Sequence, residues 1–371
     1  MKKINILVAA GGSGGHIFPG ISFSSCAKKN NNCKISFLAS NRLLDKNLIN
    51  SYGLNAYFLS ANPMPFNRNI FKWITFFCKI IFDFFKAAGI LIKEKINVVV
   101  LFGGYSSGAV AVAAFFLRVP IIVHEQNLVP GRAVNIISMF AKKIALSFPE
   151  TKNVFNERIA AKTIYTGNPL REYKLYADVK IPLAELGLQS GKKTILIMGG
   201  SQGSTFLNDN FSHIAKKIND KMPGCFQFIH LTGKKDFDTV SDYYENNKIP
   251  SKVVSFLDKI EYAYALATIA VTRAGASALF ELAKFRIPMV VVPYPNPKNN
   301  QRHNAEYFKD KAGCAYFDEK NIDTEKVVDF MLKVLSDEAL RNRIKSQLGE
   351  ISQPNPEENL MNIVKYLKGI K

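Results

Sequence analysis

Cysteine and histidine are scarce, with five of each among 371 residues, and there is a single tryptophan. The cysteines, Cys26, Cys33, Cys78, Cys225 and Cys314, form no C-x-x-C and are odd in number. That argues against a disulfide framework or a structural zinc site and fits a reducing cytoplasm. The histidines are far apart, so no metal site and no metal cofactor are expected. The start, "MKKINILVAAGG", lacks the long apolar segment and small-residue cleavage site of a signal peptide. No RNP, helix-turn-helix or zinc-finger pattern occurs, and the aromatics cluster with Leu and Ile rather than with Arg, which speaks against a nucleic-acid partner.

Positive charge, by contrast, is abundant. Lys and Arg number 49 against 30 Asp and Glu, a formal charge of +19. Anionic partners such as phosphorylated metabolites or acidic lipids are therefore plausible, although stretches such as "KKNNNCK" look compositional. At roughly 100–200 residues per domain the length predicts two domains, and 47% hydrophobic residues suffice to bury both.

Apolar runs rich in Val and Ile recur with helix-length segments between them, the signature of βαβ units around buried parallel strands. Strands are predicted in the first half at Ile4–Ala9, Ile35–Leu38, Val98–Phe102, Ile121–His124 and Ile144–Ser147. In the second half they fall at Thr194–Met198, Phe226–Leu231, Val253–Phe256, Ile269–Thr272 and Met289–Val292. The openings "INILVAAGGSGG" and "KTILIMGGSQGS" are alike: strand, glycine loop, helix. Two doubly wound α/β domains are the economical reading. The boundary is placed at 171/172, where Pro169 and Pro182 interrupt the pattern, with a closing helix over 355–371 after Pro354 and Pro356.

The glycine loops fail the standard nucleotide patterns. Counting G-x-G-x-x-G from Gly12 puts Ile17 at the third glycine, and no Gly-Lys-Ser/Thr follows Gly11 or Gly15. Backbone N–H groups at a helix start still attract anions, and absent side chains let phosphate oxygens approach. With "FGGYSSG" and "GGSQGS" also following strands, two phosphorylated ligands are suggested, one per domain.

Seven motifs in order, "GGSGGHIFPG", "GGYSSG", "HEQN", "GNPLR", "GGSQGS", "RAGASALFE" and "NNQRHNA", span nearly the whole chain. Together they resemble the bacterial peptidoglycan glycosyltransferases that add N-acetylglucosamine to lipid I. The resemblance implies a GT-B fold, two Rossmann-like domains facing across a cleft. Domain 1–171, with the closing helix, would hold the lipid acceptor, and domain 172–354 would hold UDP-N-acetylglucosamine. Donor contacts implied by the motifs are Asn127, Arg171, Ser201 and Leu257, then Ala276, Ser277, Ala278, Leu279 and Phe280, with Glu281 on the ribose hydroxyls. Gln301 and Asn304 would hold the sugar, and Ser13, Gly14 and Gly15 are also counted near the donor. The acceptor pyrophosphate is assigned to Gly12, Gly14, Gly15, Gly104, Tyr105 and Ser106. His16 and Glu125 are the alternative catalytic bases, and both remain open; His124 is as well explained as a core histidine.

The segment from Asn69 to Lys95 is long enough to tempt a transmembrane reading, but Lys72, Thr75, Lys79, Asp83, Lys86 and Lys93 recur at helical spacing as one polar stripe. Charges near a helix centre cost roughly 2.5–3.5 kcal/mol each on insertion scales. An interfacial helix fits better, with Trp73, Phe76, Phe77, Phe82 and Phe85 entering the lipid and Lys72 and Lys79 facing anionic headgroups. The expected partners are UDP-N-acetylglucosamine, lipid I, the cytoplasmic face of the inner membrane and other cell-wall synthesis proteins. A UDP-sugar epimerase of the same fold and a basic nucleic-acid-binding protein are the rival readings.

Overall fold

The computed structural model describes residues 3–12, 14–30, 32–60, 70–200, 202–296 and 300–369. The chain divides into two units, Met1–Arg171 with Gln353–Lys371, and Glu172–Ser352.

The first unit alternates β1 (Ile4–Ala9), α1 (Gly14–Lys28), β2 (Cys33–Ser40), α2 (Leu43–Ser51), β3 (Ala56–Leu59) and α3 (Ile70–Lys93). It continues with β4 (Val98–Leu101), α4 (Tyr105–Phe116), β5 (Ile121–Glu125), α5 (Arg132–Phe140), β6 (Lys143–Leu146), α6 (Glu157–Ala160) and β7 (Thr163–Tyr165). Among the described residues the strands form one sheet in the order β3-β2-β1-β4-β5-β6-β7, all pairs parallel. The order reverses between β1 and β4, so the loops after these two strands meet at one edge, the place where doubly wound sheets bind ligands.

The second unit contains α7 (Lys180–Leu186), β8 (Lys193–Met198), α8 (Thr205–Lys221), β9 (Phe226–Leu231), α9 (Phe237–Asn246), β10 (Ser251–Val254) and α10 (Glu261–Leu266). Then follow β11 (Ala267–Thr272), α11 (Ala276–Lys284), β12 (Met289–Val291), α12 (Gln301–Ala312), β13 (Ala315–Tyr316), α13 (Thr324–Ser336) and α14 (Glu338–Ile351). Its parallel sheet runs β10-β9-β8-β11-β12-β13 and switches between β8 and β11. The closing helix α15 (Pro356–Leu367) returns to the first unit, where Leu360, Met361, Ile363 and Val364 join the core containing Ile17, Ile21 and Phe23. Glu357 Oε1 accepts from Ser22 Oγ at 2.6 Å and from Leu170 N at 2.8 Å, fastening α15 to α1 and to the end of the unit.

Helix α3 differs from the expected single stripe. Asp83 is buried and accepts from Ser60 N at 2.9 Å, and Lys86 Nζ donates to the Phe58 carbonyl at 2.8 Å. Asp83 therefore belongs to the side that packs, together with Ala87, Ile90 and Leu91, while Lys86, itself exposed, reaches back to β3. Phe77, Phe82 and Phe85 are well exposed, as are Lys72 and Lys79, while Trp73 and Phe76 are only partly so. The apolar surface extends onto Phe115 and Phe116 of α4 and onto Ile136, Met139 and Phe140 of α5, with the Phe84 and Phe116 rings 6.0 Å apart and Phe115 and Phe140 5.0 Å apart. Among the described residues no helix is long and apolar enough to cross a membrane.

Candidate active site

At the switch point of the first unit, the loops after β1 and β4 are locked backbone to backbone. A Cβ on Gly104 would lie 2.1 Å from the Gly11 carbonyl oxygen, and Gly104 holds φ +87°, so only glycine fits. Next to it, a Cβ on Gly103 would come within 3.2 Å of the His16 ring, which therefore rests against the loop backbone. Helices α1 and α4 both begin here, at Gly14 and at Tyr105. Ser106, in the first turn of α4, is buried, and its hydroxyl has no hydrogen-bond partner in the described structure.

The expected acceptor loop is partly self-satisfied. Gly12 N donates to Asp45 Oδ2 at 3.1 Å, and Ser40 Oγ donates to the same oxygen. Arg42 Nη1 donates to the Gly12 carbonyl at 3.1 Å. Gly12 thus spends its amide on a carboxylate from α2, while Gly14 and Gly15 stand in the first turn of α1. Ser13 and the Tyr105 side chain lie outside the described part.

His16 and Glu125 have contrasting environments. Desolvation lowers the His16 pKa below its ordinary value, against a hydrogen bond to the Gly11 backbone that raises it, so burial favours the uncharged imidazole. Glu125 is buried at the end of β5, where desolvation raises its pKa to about 7. Its Oε1 accepts from Asn127 N at 2.8 Å and Asn127 Nδ2 at 3.1 Å, and its Oε2 from Gly131 N at 3.1 Å. Glu125 is thus tied up shaping the 125–131 loop that carries Asn127. His124 is a core residue: Nε2 lies 3.0 Å from the Gly167 carbonyl, Nδ1 lies 3.0 Å from Gln126 Nε2, and burial lowers its pKa to about 4. Arg171 lays its guanidinium over the Phe18 ring at 4.2 Å, within the first unit.

In the second unit, Ser204 caps α8, its Oγ accepting from Leu207 N. The same oxygen receives Arg273 Nε at 3.1 Å and Nη2 at 2.7 Å, from just beyond β11. Arg273 Nη1 also donates to the Val292 and Pro293 carbonyls and to Glu319. A Cβ on Gly203 would lie 1.9 Å from the Thr232 carbonyl oxygen, so this loop too is interlocked with its neighbour. Ser201 lies outside the described residues.

Glu281, on α11, is buried, with Tyr264 Oη donating to its Oε2 at 2.7 Å. Ser277 and Ala278 are partly exposed, whereas Leu279 and Phe280 point into the core, Phe280 packing edge-on at 5.7 Å from Phe308. Buried Ala276 likewise turns its side chain inward. Asn304, expected on the sugar, is completely buried and donates to the Ala274 carbonyl at 3.2 Å; it supports the turn before α11. Gln301 Oε1 accepts from Tyr294 N at 2.9 Å. Strand β10 ends at Val254, earlier than expected, which leaves Phe256 exposed and Leu257 half-buried in the following loop. Asp236 and Asp238 form a D-x-D triplet beside α9, but Asp236 accepts from Asn208 Nδ2 at 2.9 Å. No group of three or more His, Cys, Asp or Glu among the described residues is placed to hold a metal ion.

Models of the two domains of one enzyme family match this chain: the N-terminal domain of glycosyltransferase family 28 over residues 6–146 and its C-terminal domain over residues 194–355. The chain belongs to glycosyltransferase family 28. Among the relatives of this glycosyltransferase is the UDP-N-acetylglucosamine--N-acetylmuramyl-(pentapeptide) pyrophosphoryl-undecaprenol N-acetylglucosamine transferase of Halothermothrix orenii. It is 31% identical, over 97% of this chain and 98% of that protein. The Flavobacterium psychrophilum protein of the same name is 30% identical, with 100% of both chains covered. The crystal structure of Acinetobacter baumannii MurG superposes with a TM-score of 0.75 at 24% identity, covering 98% of this chain and 99% of that one. The Neisseria meningitidis UDP-GlcNAc 2-epimerase bound to UDP-GlcNAc gives 0.66 at 14%, covering 98% and 100%. Both show the fold alone.

Three residues that shape the glycosyltransferase's loops, Asp45, Arg273 and Tyr264, escaped the sequence reading as site residues. Asp45 and Tyr264 lie outside the glycine motifs. Arg273 stands inside "RAGASALFE", where its charge was the available signal.

Proposed function

We infer that the protein transfers N-acetylglucosamine from UDP-N-acetylglucosamine to the C4 hydroxyl of MurNAc in undecaprenyl-pyrophosphoryl-MurNAc-pentapeptide, with inversion, giving lipid II and UDP. The observation that carries the site assignment is the interlocked pair of loops at Gly11 and Gly104, with the Ser106 hydroxyl buried beside them and His16 against them. Two helix starts and an unmatched hydroxyl suit a pyrophosphate. A neutral imidazole next to that seat suits removal of the acceptor proton.

His16 takes the C4 hydroxyl proton as the oxygen attacks the anomeric carbon. The bond from that carbon to the UDP oxygen breaks, and UDP leaves with the electron pair. Glu125, committed to the Asn127 loop, acts as a positioning residue. The start of α8 receives the UDP phosphates, with Lys235 Nζ lying 3.2 Å from Thr205 Oγ1, and Glu281 accepts the ribose hydroxyls. No metal is needed in this scheme. The epimerase alternative shares the fold, but the near full-length relatives carry the transferase name. The exposed apolar face of α3, α4 and α5, flanked by Lys72 and Lys79, supports docking on the anionic cytoplasmic face of the inner membrane, where the lipid acceptor resides.

The test is lipid II formation from lipid I and UDP-N-acetylglucosamine without added metal, comparing wild type with His16→Ala. Wild type should turn over, and His16→Ala should lose about 10²–10⁴-fold in kcat while binding UDP normally. No transfer by wild type would sink the reading; full activity in His16→Ala would remove only the base role.

A further inference from the structure

Glu281 owes its setting to a residue outside the donor motifs. Tyr264, on α10, is 3% exposed, and its hydroxyl donates to Glu281 Oε2 at 2.7 Å across 17 positions of sequence. The phenol ring is fixed from two sides, with centroids 5.1 Å from Phe285 and 5.9 Å from Tyr173. Its oxygen also lies 4.0 Å from Met198 Sδ, at the end of the strand that leads into "GGSQGS". The ring therefore bridges the strand before one donor loop and the helix after the other.

A glutamate's terminal torsion is broad, so a carboxylate that must meet two neighbouring hydroxyls gains from an external brace. A hydroxyl that donates to one carboxylate oxygen at 2.7 Å supplies such a brace. We propose that Tyr264 is a positioning residue for donor recognition. Its hydroxyl sets the plane in which Glu281 meets the ribose diol of a uridine diphosphate, and so sets the preference for ribonucleotide over deoxyribonucleotide. This rests on reading Glu281 as the ribose contact. A site built to bind a hydroxyl strongly rejects the analogue that lacks it, so loosening the carboxylate should weaken that rejection.

Tyr264→Phe removes only the hydroxyl and keeps the ring contacts. The experiment measures inhibition of transfer by UDP and by 2′-deoxy-UDP in wild type, Tyr264→Phe, Glu281→Gln and the double variant. Tyr264→Phe should narrow the preference for UDP about tenfold and raise the KM for UDP-N-acetylglucosamine by a similar factor, with kcat changing far less. Glu281→Gln should abolish the preference, and adding Tyr264→Phe to it should change nothing more. The ratio of the two inhibition constants does not depend on the active fraction, so partial unfolding of a variant does not mask the result. A wild-type ratio in Tyr264→Phe alongside a collapsed ratio in Glu281→Gln would overturn the positioning role while leaving the ribose contact intact. A wild-type ratio in Glu281→Gln would overturn both.

Discussion

In the first unit, acids hold the amides of the ligand-side loops: Asp45 captures the Gly12 amide, with Arg42 on the Gly12 carbonyl, and Glu125 captures the amides of Asn127 and Gly131. In the second unit the corresponding edge is held by a base, Arg273, which captures the Val292 and Pro293 carbonyls and the Ser204 hydroxyl. The first six strands of each sheet follow the same order, 3-2-1-4-5-6 in one and 10-9-8-11-12-13 in the other. Shared topology therefore decides where the loops gather, while the brace decides which backbone groups are left for a ligand. A carboxylate uses up donors; a guanidinium uses up acceptors and leaves donors for phosphate.

The largest effect that would test this contrast is on stability. Arg273→Met leaves Glu319 and two carbonyls without their partner and should destabilise the second unit by about 3 kcal/mol. Asp45→Ala, which breaks two bonds to one carboxylate, should cost about 1–2 kcal/mol. Urea denaturation followed by unit-specific hydrogen exchange measures both, and equal costs would break the distinction.

Acid titration should separate the units somewhat less strongly. Glu125, with a native pKa of about 7 against an ordinary 4.5, binds more protons folded than unfolded between those values, so its contribution falls as pH rises through that window. His124, at about 4, does the reverse, adding stability as pH rises from about 4 to 6.5. In the first unit these slopes oppose. In the second, His230, lowered to about 3 by burial, should make stability drop as pH falls below 6.5. Glu125→Gln should unmask the histidine slope in the first unit, a swing of up to about 3 kcal/mol across the window. An unchanged pH profile would show that Glu125 is not protonated at its native site.

The remaining contrast concerns membranes. Phe82→Ser or Phe85→Ser should weaken binding to anionic vesicles by about 2 kcal/mol each. Met222→Ser, an exposed apolar change in the second unit, should not. Equal losses in a vesicle sedimentation assay would mean that the apolar face of α3 is not the docking surface.

Nine buried strands were legible from their apolar runs and half-buried β10 only through Val253 and Val254, while β3, β7 and β13 were not. "AYFL", "TIY" and "AY" are short, and nearly all their residues are half-buried, so no run stands out. The glycine loops and Glu281 were legible from motif order. The braces were not, because Asp45 acts 33 positions from Gly12 and Tyr264 acts 17 from Glu281, contacts that exist only once parallel strands bring the loops together. Asp83 misled for a related reason: helical spacing groups it with the lysines, but the Ser60 amide draws it inward.

The fit of Gly104 on Gly11, echoed by Gly203 on Thr232, bears on how such a protein can be recombined. Each loop takes its shape from another segment, so neither is a portable module. A chimera that imports "GGSGGH" from a relative without the matching "GGYSSG", or "GGSQGS" without the turn at Thr232, would inherit a clash rather than a binding loop. The smallest unit of exchange is the loop pair, and crossovers should survive best where both members come from one parent.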